Sequence, residues 1–339
     1  MKLLRWHRTH NHRSMPWKAE RDPYRIWLSE IILQQTRVEQ GLPYYLRFTE
    51  QYPTVNHLAA APDQEVYALW QGLGYYNRCR NLLATARYIA NDLNGVFPSD
   101  YEDIRNLKGV GDYTAAAIAS FAFKLPYAVV DGNVIRVLSR YFVLTDDPYK
   151  AAGKKKFQAL AQQLLSVKKP DLFNQAIMDL GATLCKPKQP LCGSCPLHTE
   201  CLAFNQETID QFPPPKNRLV LKDRFFHFFL PQQSKNVWLM QRTDNDIWHH
   251  LYTPLLVEAE PNQLSSIMMK LLNSVPIPIA EMKQTLSHQR IHGYFYRISS
   301  SQQKKLAGKN RLLSVPIKEL SKYACPRIVV SFFQKNYYL

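Results

Sequence analysis

The sequence predicts a mostly helical N-terminal domain joined to a small α+β C-terminal domain. Its 339 residues favour two domains over one, and an apolar content of 46% is ample for real cores. Residues 22 to about 205 read as helices with short connections. The composition then changes. Three consecutive prolines, Pro213, Pro214 and Pro215, read as a stiff linker, and the runs beyond them are short, aromatic or β-branched and partly alternating, as strands are.

The helices follow from their ends. "DPYRIWLSEIILQQT" opens with Asp22 as N-cap and Pro23 in the first helical position. "DQEVYALWQGLG" stops at Gly72 or Gly74, and "RCRNLLATARYIANDLNG" stops at Gly95 ahead of Pro98. Further helices are expected over 112–123, 132–143, 153–166 and 171–184. After "ETIDQFPPPKNR" come the strands "RFFHFFL", "NVWLMQR" and "HGYFYRIS", with "QLSSIMMKLLN" as a helix between them. The expected boundaries are a first domain over 1–205, a linker over 206–218 and a second domain over 219–339.

The 43 basic and 27 acidic residues leave a net charge of +16. A chain this basic usually meets a polyanion, nucleic acid first; the bland alternative is a basic surface kept for solubility. No apolar run is long enough for a membrane span, and "MKLLRWHRTHNHRSMPW" lacks the apolar core and cleavage site of a signal peptide. A cytoplasmic, reducing compartment is therefore expected. Four of the six cysteines, Cys185, Cys192, Cys195 and Cys201, crowd into "CKPKQPLCGSCPLHTEC". That suggests a metal site rather than disulfides. Zinc sites usually pair ligands in two short knuckles, and only Cys192 and Cys195 form such a pair. Four thiolates also hold an iron–sulfur cube; the spacing leans towards iron and leaves zinc open. Lys186, Lys188 and His198 flank the thiols, as in a structural loop anchor with basic residues facing phosphate.

"LKGVGDYTAAAIASFA" runs a glycine turn straight into an Ala-rich helix. Gly109, Val110 and Gly111 let backbone N–H groups approach a phosphate, and the helix N-terminus adds its dipole. Such a helix-hairpin-helix grips nucleic acid without reading sequence, although ordinary helix turns share the pattern. Glu30 sits in an apolar helix beside Ile26, Trp27 and Leu33. Desolvation there raises a carboxyl pKa, as a general acid at neutral pH requires; the alternative is a buried Glu paired with an Arg. Asp131, in "VVDGNVIRVLSR", is an N-cap, and helix N–H groups would keep it ionised to face a developing cation. One protonated and one ionised carboxyl is the pairing that glycosidic-bond cleavage uses.

In this order, "LSEIILQQT", "QGLGYYNRCRNL", "LKGVGDYTAAAI", "VDGNVIRVLSR", "FNQAIMDLGATLC" and the cysteine run closely resemble the adenine DNA glycosylases of the MutY family, within the helix-hairpin-helix glycosylase superfamily. The likeness covers roughly residues 10–205 and, more loosely, the remainder. It implies a monomeric enzyme that acts on double-stranded DNA, removes adenine mispaired with 8-oxoguanine or guanine, and carries a [4Fe–4S] cluster on the four cysteines. Glu30 would protonate adenine at N7, Asp131 would stabilise the oxocarbenium-like sugar, and Asn133 would hold sugar, water or carboxylate by hydrogen bonds. Relatives that also cut the backbone carry a lysine where Tyr113 stands; a phenol forms no imine, so the resemblance implies a monofunctional enzyme that leaves an abasic site.

Other positions carry over by the same resemblance. Gln34, Gln35 and Thr36, with Tyr75, match residues around the flipped base or its partner, although Tyr75 and Tyr76 also suit packing beneath a loop. Arg13, Met15, Trp17, Gln175 and Met178 fall where the family lines its adenine pocket; Trp17 would serve equally as a core residue. The C-terminal domain resembles the family's Nudix-like 8-oxoguanine-recognition domain. Ser287 and His288 match its Phe-Ser-His loop, with Leu286 replacing the phenylalanine, and "DIWHHLYTPLL" departs from its Trp-Gly-Gly-Leu-Trp pattern. "EAEPNQLSSIMMK" lacks the acidic helix of Nudix hydrolases, which excludes nucleotide hydrolysis. A thymine glycosylase acting on G·T mispairs, and a non-catalytic DNA-binding protein, are the competing readings.

Overall fold

A computed structural model describes residues 2–215, 220–232, 235–243, 246–308 and 311–337. The last residues of the expected linker, 216–218, lie outside them. By packing, the chain forms two compact units, Met1–Ala60 with Asn81–Asn217, and Ala61–Arg80 with Arg218–Leu339.

The first unit is helical. Asp22 caps the Pro23–Leu33 helix, its Oδ1 accepting the Tyr24 N–H at 2.9 Å, and Trp27, Leu28 and Ile32 are fully buried. This helix packs on the Asp112–Phe123 helix, whose Ala115, Ala116 and Ala117 are buried. Asp131 caps the Gly132–Phe142 helix, which packs on the Pro170–Thr183 helix. Gly181 makes that crossing possible: a Cβ there would lie 2.6 Å from the Asn133 Cβ. The Lys2–His10 helix adds Leu3 and Trp6 to a core with Val134, Leu138, Phe157 and Leu180. Truncating one such leucine to alanine costs roughly 2–5 kcal/mol. The helix expected from residue 153 begins two residues earlier, as Ala151–Leu164.

The second unit is an α+β structure. Its strands are β1 (Lys222–Pro231), β2 (Asn236–Gln241), β3 (Tyr252–Glu258), β4 (Ala280–Thr285), β5 (Gln289–Ile298) and β6 (Leu313–Pro316). They form a mixed sheet in the order β4-β5-β1-β3-β2-β6, with β1 and β5 parallel and the other pairs antiparallel. Phe226, Phe228 and Phe229 bury the centre of β1, and Phe295 stacks on Phe332 of the Arg327–Tyr337 helix at 3.9 Å. The helix expected around 263–273 is present as Pro261–Leu272, without an acidic residue.

The division differs from the expected boundaries at two places: the expected linker groups with the first unit as far as residue 217, and 61–80 groups with the second. The segment 61–80 reads as part of the first domain, yet it packs with the C-terminal residues. Tyr67 lies 6.1 Å from the His250 ring, Arg80 Nη1 bonds His249 Nδ1 at 2.9 Å, and Gln64 reaches the Lys322 carbonyl at 3.2 Å. These side chains find their partners about 170 to 260 residues away, which local sequence patterns do not record.

Candidate active site and cysteine loop

Glu30 stands in the last turn of the Pro23–Leu33 helix and is buried. Burial pushes its carboxyl up to about 7, the nearby Asp131 charge adds to this, and a hydrogen bond from the Tyr113 hydroxyl opposes it. No arginine pairs with it among the described residues, so the ion-paired alternative is not what the side chain meets. Tyr113 lies in the first turn of the Asp112–Phe123 helix. Burial and the two carboxylates hold its hydroxyl well above the usual phenol range, so it remains a donor.

Asp131 keeps its cap and does more. Its Oδ1 accepts the Val134 N–H at 2.8 Å, and its Oδ2 accepts the Asn133 amide N–H at 2.7 Å. Burial raises its carboxyl above the ordinary value, while those bonds and Arg136 pull the other way. Desolvation outweighs the hydrogen bonds that the cap position supplies. Arg136, which the sequence reading passed over, orients Asn133. Its Nη2 donates to Asn133 Oδ1 at 2.8 Å and to the Gly181 carbonyl at 2.7 Å, and its Nε donates to the Cys185 carbonyl at 2.7 Å. With its oxygen held, the Asn133 amide turns its N–H towards Asp131.

Glu30, Tyr113, Asp131 and Asn133 face one cavity of about 710 Å³. Arg13, Met15 and Trp17 line one part of it, Gln34, Gln35 and Thr36 another, and Gln175 and Met178 a third. Trp17 also packs edge-on against Tyr45 at 5.2 Å, so it both lines the cavity and packs against a neighbouring helix. Asp179, His7, Asn11 and Lys18 form an unforeseen cluster around this cavity. The available signal was an aspartate inside the apolar run "AIMDLGA", the same kind of signal that marked Glu30.

Gly109, Val110 and Gly111 do not line the cavity. They form the turn ahead of the Asp112–Phe123 helix, with the Val110 N–H bonded to the Leu107 carbonyl at 3.0 Å. Gly109 has φ +83, and a Cβ there would lie 2.7 Å from the Asn81 Cβ; only glycine satisfies both limits. A Cβ at Gly111 would meet open space, so that backbone is accessible.

Cys185, Cys192, Cys195 and Cys201 are half-buried free thiols around one separate, largely apolar cavity with Leu184, Leu191 and Leu197. Arg140 anchors the loop, donating to the carbonyls of Lys186 at 2.7 Å and Pro187 at 3.1 Å, with Nη1 at 3.5 Å from the Cys185 sulfur. No group of three or more His, Cys, Asp or Glu side chains closes on a single-ion position among the described residues.

Tyr75, Ser287 and His288 belong to the second unit. Ser287 and His288 are the exposed tip of the β4–β5 turn, closed by the Leu286 N–H on the Gln289 carbonyl at 2.7 Å. The Tyr75 and Ser287 hydroxyls are hydrogen-bonded, which unites two residues that the sequence reading placed in different domains. In the divergent "DIWHHLYTPLL" segment, His250 takes φ +69, a conformation that glycine adopts freely.

A glycine turn feeds the helix that carries Tyr113, and the cavity that this helix borders gathers two carboxyls, the arrangement expected from the sequence of a helix-hairpin-helix glycosylase. Residues 28–164 match the family described as HhH-GPD superfamily base excision DNA repair protein. The fold is similar to a thermostable thymine-DNA glycosylase, with a TM-score of 0.55 and 31% identity over 60% of this chain and 94% of that one. An endonuclease III–DNA complex aligns with a TM-score of 0.52 at 22% identity, over 61% of this chain and 93% of that one. The chain is 33% identical over 296 residues to the adenine DNA glycosylase of Buchnera aphidicola subsp. Baizongia pistaciae, covering 86% of this chain and 83% of that protein. Against the adenine DNA glycosylase of Rattus norvegicus the identity is 41% over 250 residues, 70% of this chain and 48% of that protein. The chain belongs to the adenine DNA glycosylases, base excision repair enzymes that hydrolyse N-glycosyl bonds. No described helix is long and apolar enough to cross a membrane.

Proposed function

We propose that this enzyme removes adenine mispaired with 8-oxoguanine or guanine in double-stranded DNA and leaves an abasic site. The observation that carries the mechanism is the pairing of Glu30, raised to about 7, with Asp131, held by Val134 and Asn133, in one cavity. Adenine leaves the base stack and enters that cavity, which is roomy enough for a purine nucleoside. Glu30, about half protonated near pH 7, donates to adenine N7 and turns the base into a neutral leaving group. The sugar becomes an oxocarbenium-like cation beside the Asp131 carboxylate, and a water then adds at C1′ and gives up a proton, which reprotonates the ionised Glu30 and leaves the abasic site. Asn133 keeps that carboxylate aimed, and Tyr113 keeps the Glu30 carboxyl in place. Tyr113 offers no amine, so the backbone stays intact.

The donor set at 185–201 suits a [4Fe–4S] cluster. Four thiols share one apolar cavity, and the Arg140 guanidinium approaches the Cys185 sulfur. When bound, such a cluster ties the loop into a fixed shape. The Gly109–Gly111 turn grips a phosphate of the duplex, in keeping with the +16 charge. The α+β region, with Ser287 and His288 at an exposed tip, reads the 8-oxoguanine left opposite, and the molecule works as a monomer.

The thymine reading has a specific basis in the similar thymine-DNA glycosylase structure, but that likeness spans 60% of this chain. The adenine glycosylase of Buchnera is matched over 86%, into the C-terminal region. Single-turnover assays on duplexes carrying A·8-oxoguanine, A·G, A·T or T·G test the proposal. Release of adenine from the first two supports it; release of thymine from T·G instead overturns it.

A further inference from the structure

His249 and His250 stand in the turn ahead of β3, within the segment "DIWHHLYTPLL". Trp248 anchors that turn in the core: it is buried and packs on Phe226 at 4.7 Å and Phe228 at 6.1 Å. The two imidazoles stack at 3.8 Å, 17° from parallel. Both meet the segment 61–80, which belongs to the same unit. Arg80 Nη1 lies 2.9 Å from His249 Nδ1, and the Tyr67 ring lies 6.1 Å from the His250 ring. The same segment carries Tyr75, whose hydroxyl is bonded to Ser287 at the β4–β5 tip.

A guanidinium has donors and no acceptor, so His249 Nδ1 is the acceptor of this bond and carries no proton. An imidazolium donates from both nitrogens. Protonating His249 therefore abolishes the bond and sets two cations against each other. The surroundings give that charge little relief. Within the turn, Arg242 and Asp246 are paired with each other at 2.5 Å. From 61–80 come Arg80, the Tyr67 phenol and Asp63. Burial, His249 and Arg80 hold the His250 imidazole below its ordinary value, and Asp63 opposes them. The clasp between the turn and 61–80 is thus closed while the histidines are neutral. It opens as pH falls through the range in which imidazoles take up a proton.

We propose that His249 is a positioning residue: as a neutral imidazole it holds Arg80, fastens 61–80 to the turn and so keeps Tyr75 on Ser287, and its protonation releases this hold. The inference rests on the α+β region reading the base opposite adenine.

The test compares full-length wild type, His249→Asn and His249→Leu at about pH 7.5 and about pH 5.5, one on each side of an ordinary imidazole. Two quantities are measured. One is amide hydrogen exchange over 61–80, corrected for the intrinsic pH dependence of exchange. The other is the ratio of single-turnover adenine release from A·8-oxoguanine to that from A·G, in which the titration of Glu30 cancels. At the lower pH, wild type should exchange faster over 61–80 and lose about two- to tenfold of its ratio, the worth of one net hydrogen bond. His249→Asn puts an amide oxygen in the place of Nδ1 and does not titrate. It should keep slow exchange and the full ratio at both pH values. His249→Leu offers no acceptor, and should show at the higher pH what wild type shows only at the lower. Equal exchange over 61–80 in wild type at the two pH values overturns the proposal. So does a His249→Asn protein with the wild-type pH dependence, or faster exchange with an unchanged ratio. A wild type without any preference for 8-oxoguanine at the higher pH overturns the lesion-reading assignment instead, and exchange over 61–80 then decides the clasp by itself.

Discussion

Arg136 donates to the Asn133 amide oxygen at 2.8 Å while the same guanidinium holds the Cys185 carbonyl at 2.7 Å. One side chain thus joins Asn133, which holds the Asp131 carboxylate, to the first cysteine of the loop. Removing it frees the Asn133 amide to rotate and leaves the Asp131 carboxylate with one fewer dependable donor.

Arg136→Leu should therefore lower saturated excision by roughly 10- to 150-fold, the worth of a charge-assisted hydrogen bond of about 1.5–3 kcal/mol. Single-turnover rates check this, with duplex affinity as control. Wild-type rates from a folded Arg136→Leu protein would remove the relay from the mechanism.

Tyr113 gives a chemical prediction. Borohydride should not trap the wild-type enzyme on DNA, because the residue hydrogen-bonded to Glu30 is a phenol. Tyr113→Lys should gain trapping, detected as a slower-migrating protein–DNA band. Efficient trapping of wild type, with strand cleavage in the absence of heat or base, would show that another amine attacks the sugar.

The exposed β4–β5 tip should read the opposite base. Ser287→Ala is expected to keep adenine removal from A·G duplexes but to lose about 5- to 150-fold of the preference for 8-oxoguanine, the range of one good hydrogen-bonded base contact. Leu286→Phe should leave excision intact. A cut near residue 216 is the poorer test, since it strips 61–80 of His249, His250 and Ser287. An unchanged preference in Ser287→Ala and His288→Ala would move lesion reading elsewhere.

Purified protein should be brown and carry roughly four irons per chain, as a four-cysteine cube requires. Cys192→Ser should lower both solubility and DNA affinity by untying the loop. Stoichiometric zinc without iron in anaerobically prepared protein contradicts the assignment.

How much of this was legible in the sequence differs from residue to residue. Asp22 with Pro23 announces a helix start because the cap is local. Glu30 stands out because an acid in an apolar helix face has few structural excuses, and four cysteines in one short run mark a shared site. Asp179 shows the same local signal, an acid in an apolar run, but its partners and those of Arg136 lie far along the chain, Lys18 161 and Cys185 49 residues away. The strand at β4, "AEMKQT", is half-exposed and made largely of residues that favour helices, so only its pairing with β5 defines it. The membership of 61–80 in the second unit was hidden for the same reason.

The central claim is that Glu30 is the acid that protonates adenine, and the pH dependence of saturated single-turnover adenine release measures it most directly. A carboxyl raised to about 7 is protonated below that pH and loses its proton above it, so the wild-type rate should fall as pH rises through about 7. Glu30→Gln should bind the mispaired duplex normally, lose about 10²–10⁴-fold in rate and show no such fall. A Glu30→Gln enzyme that retains near-wild-type release, with the same fall near pH 7, would contradict the account.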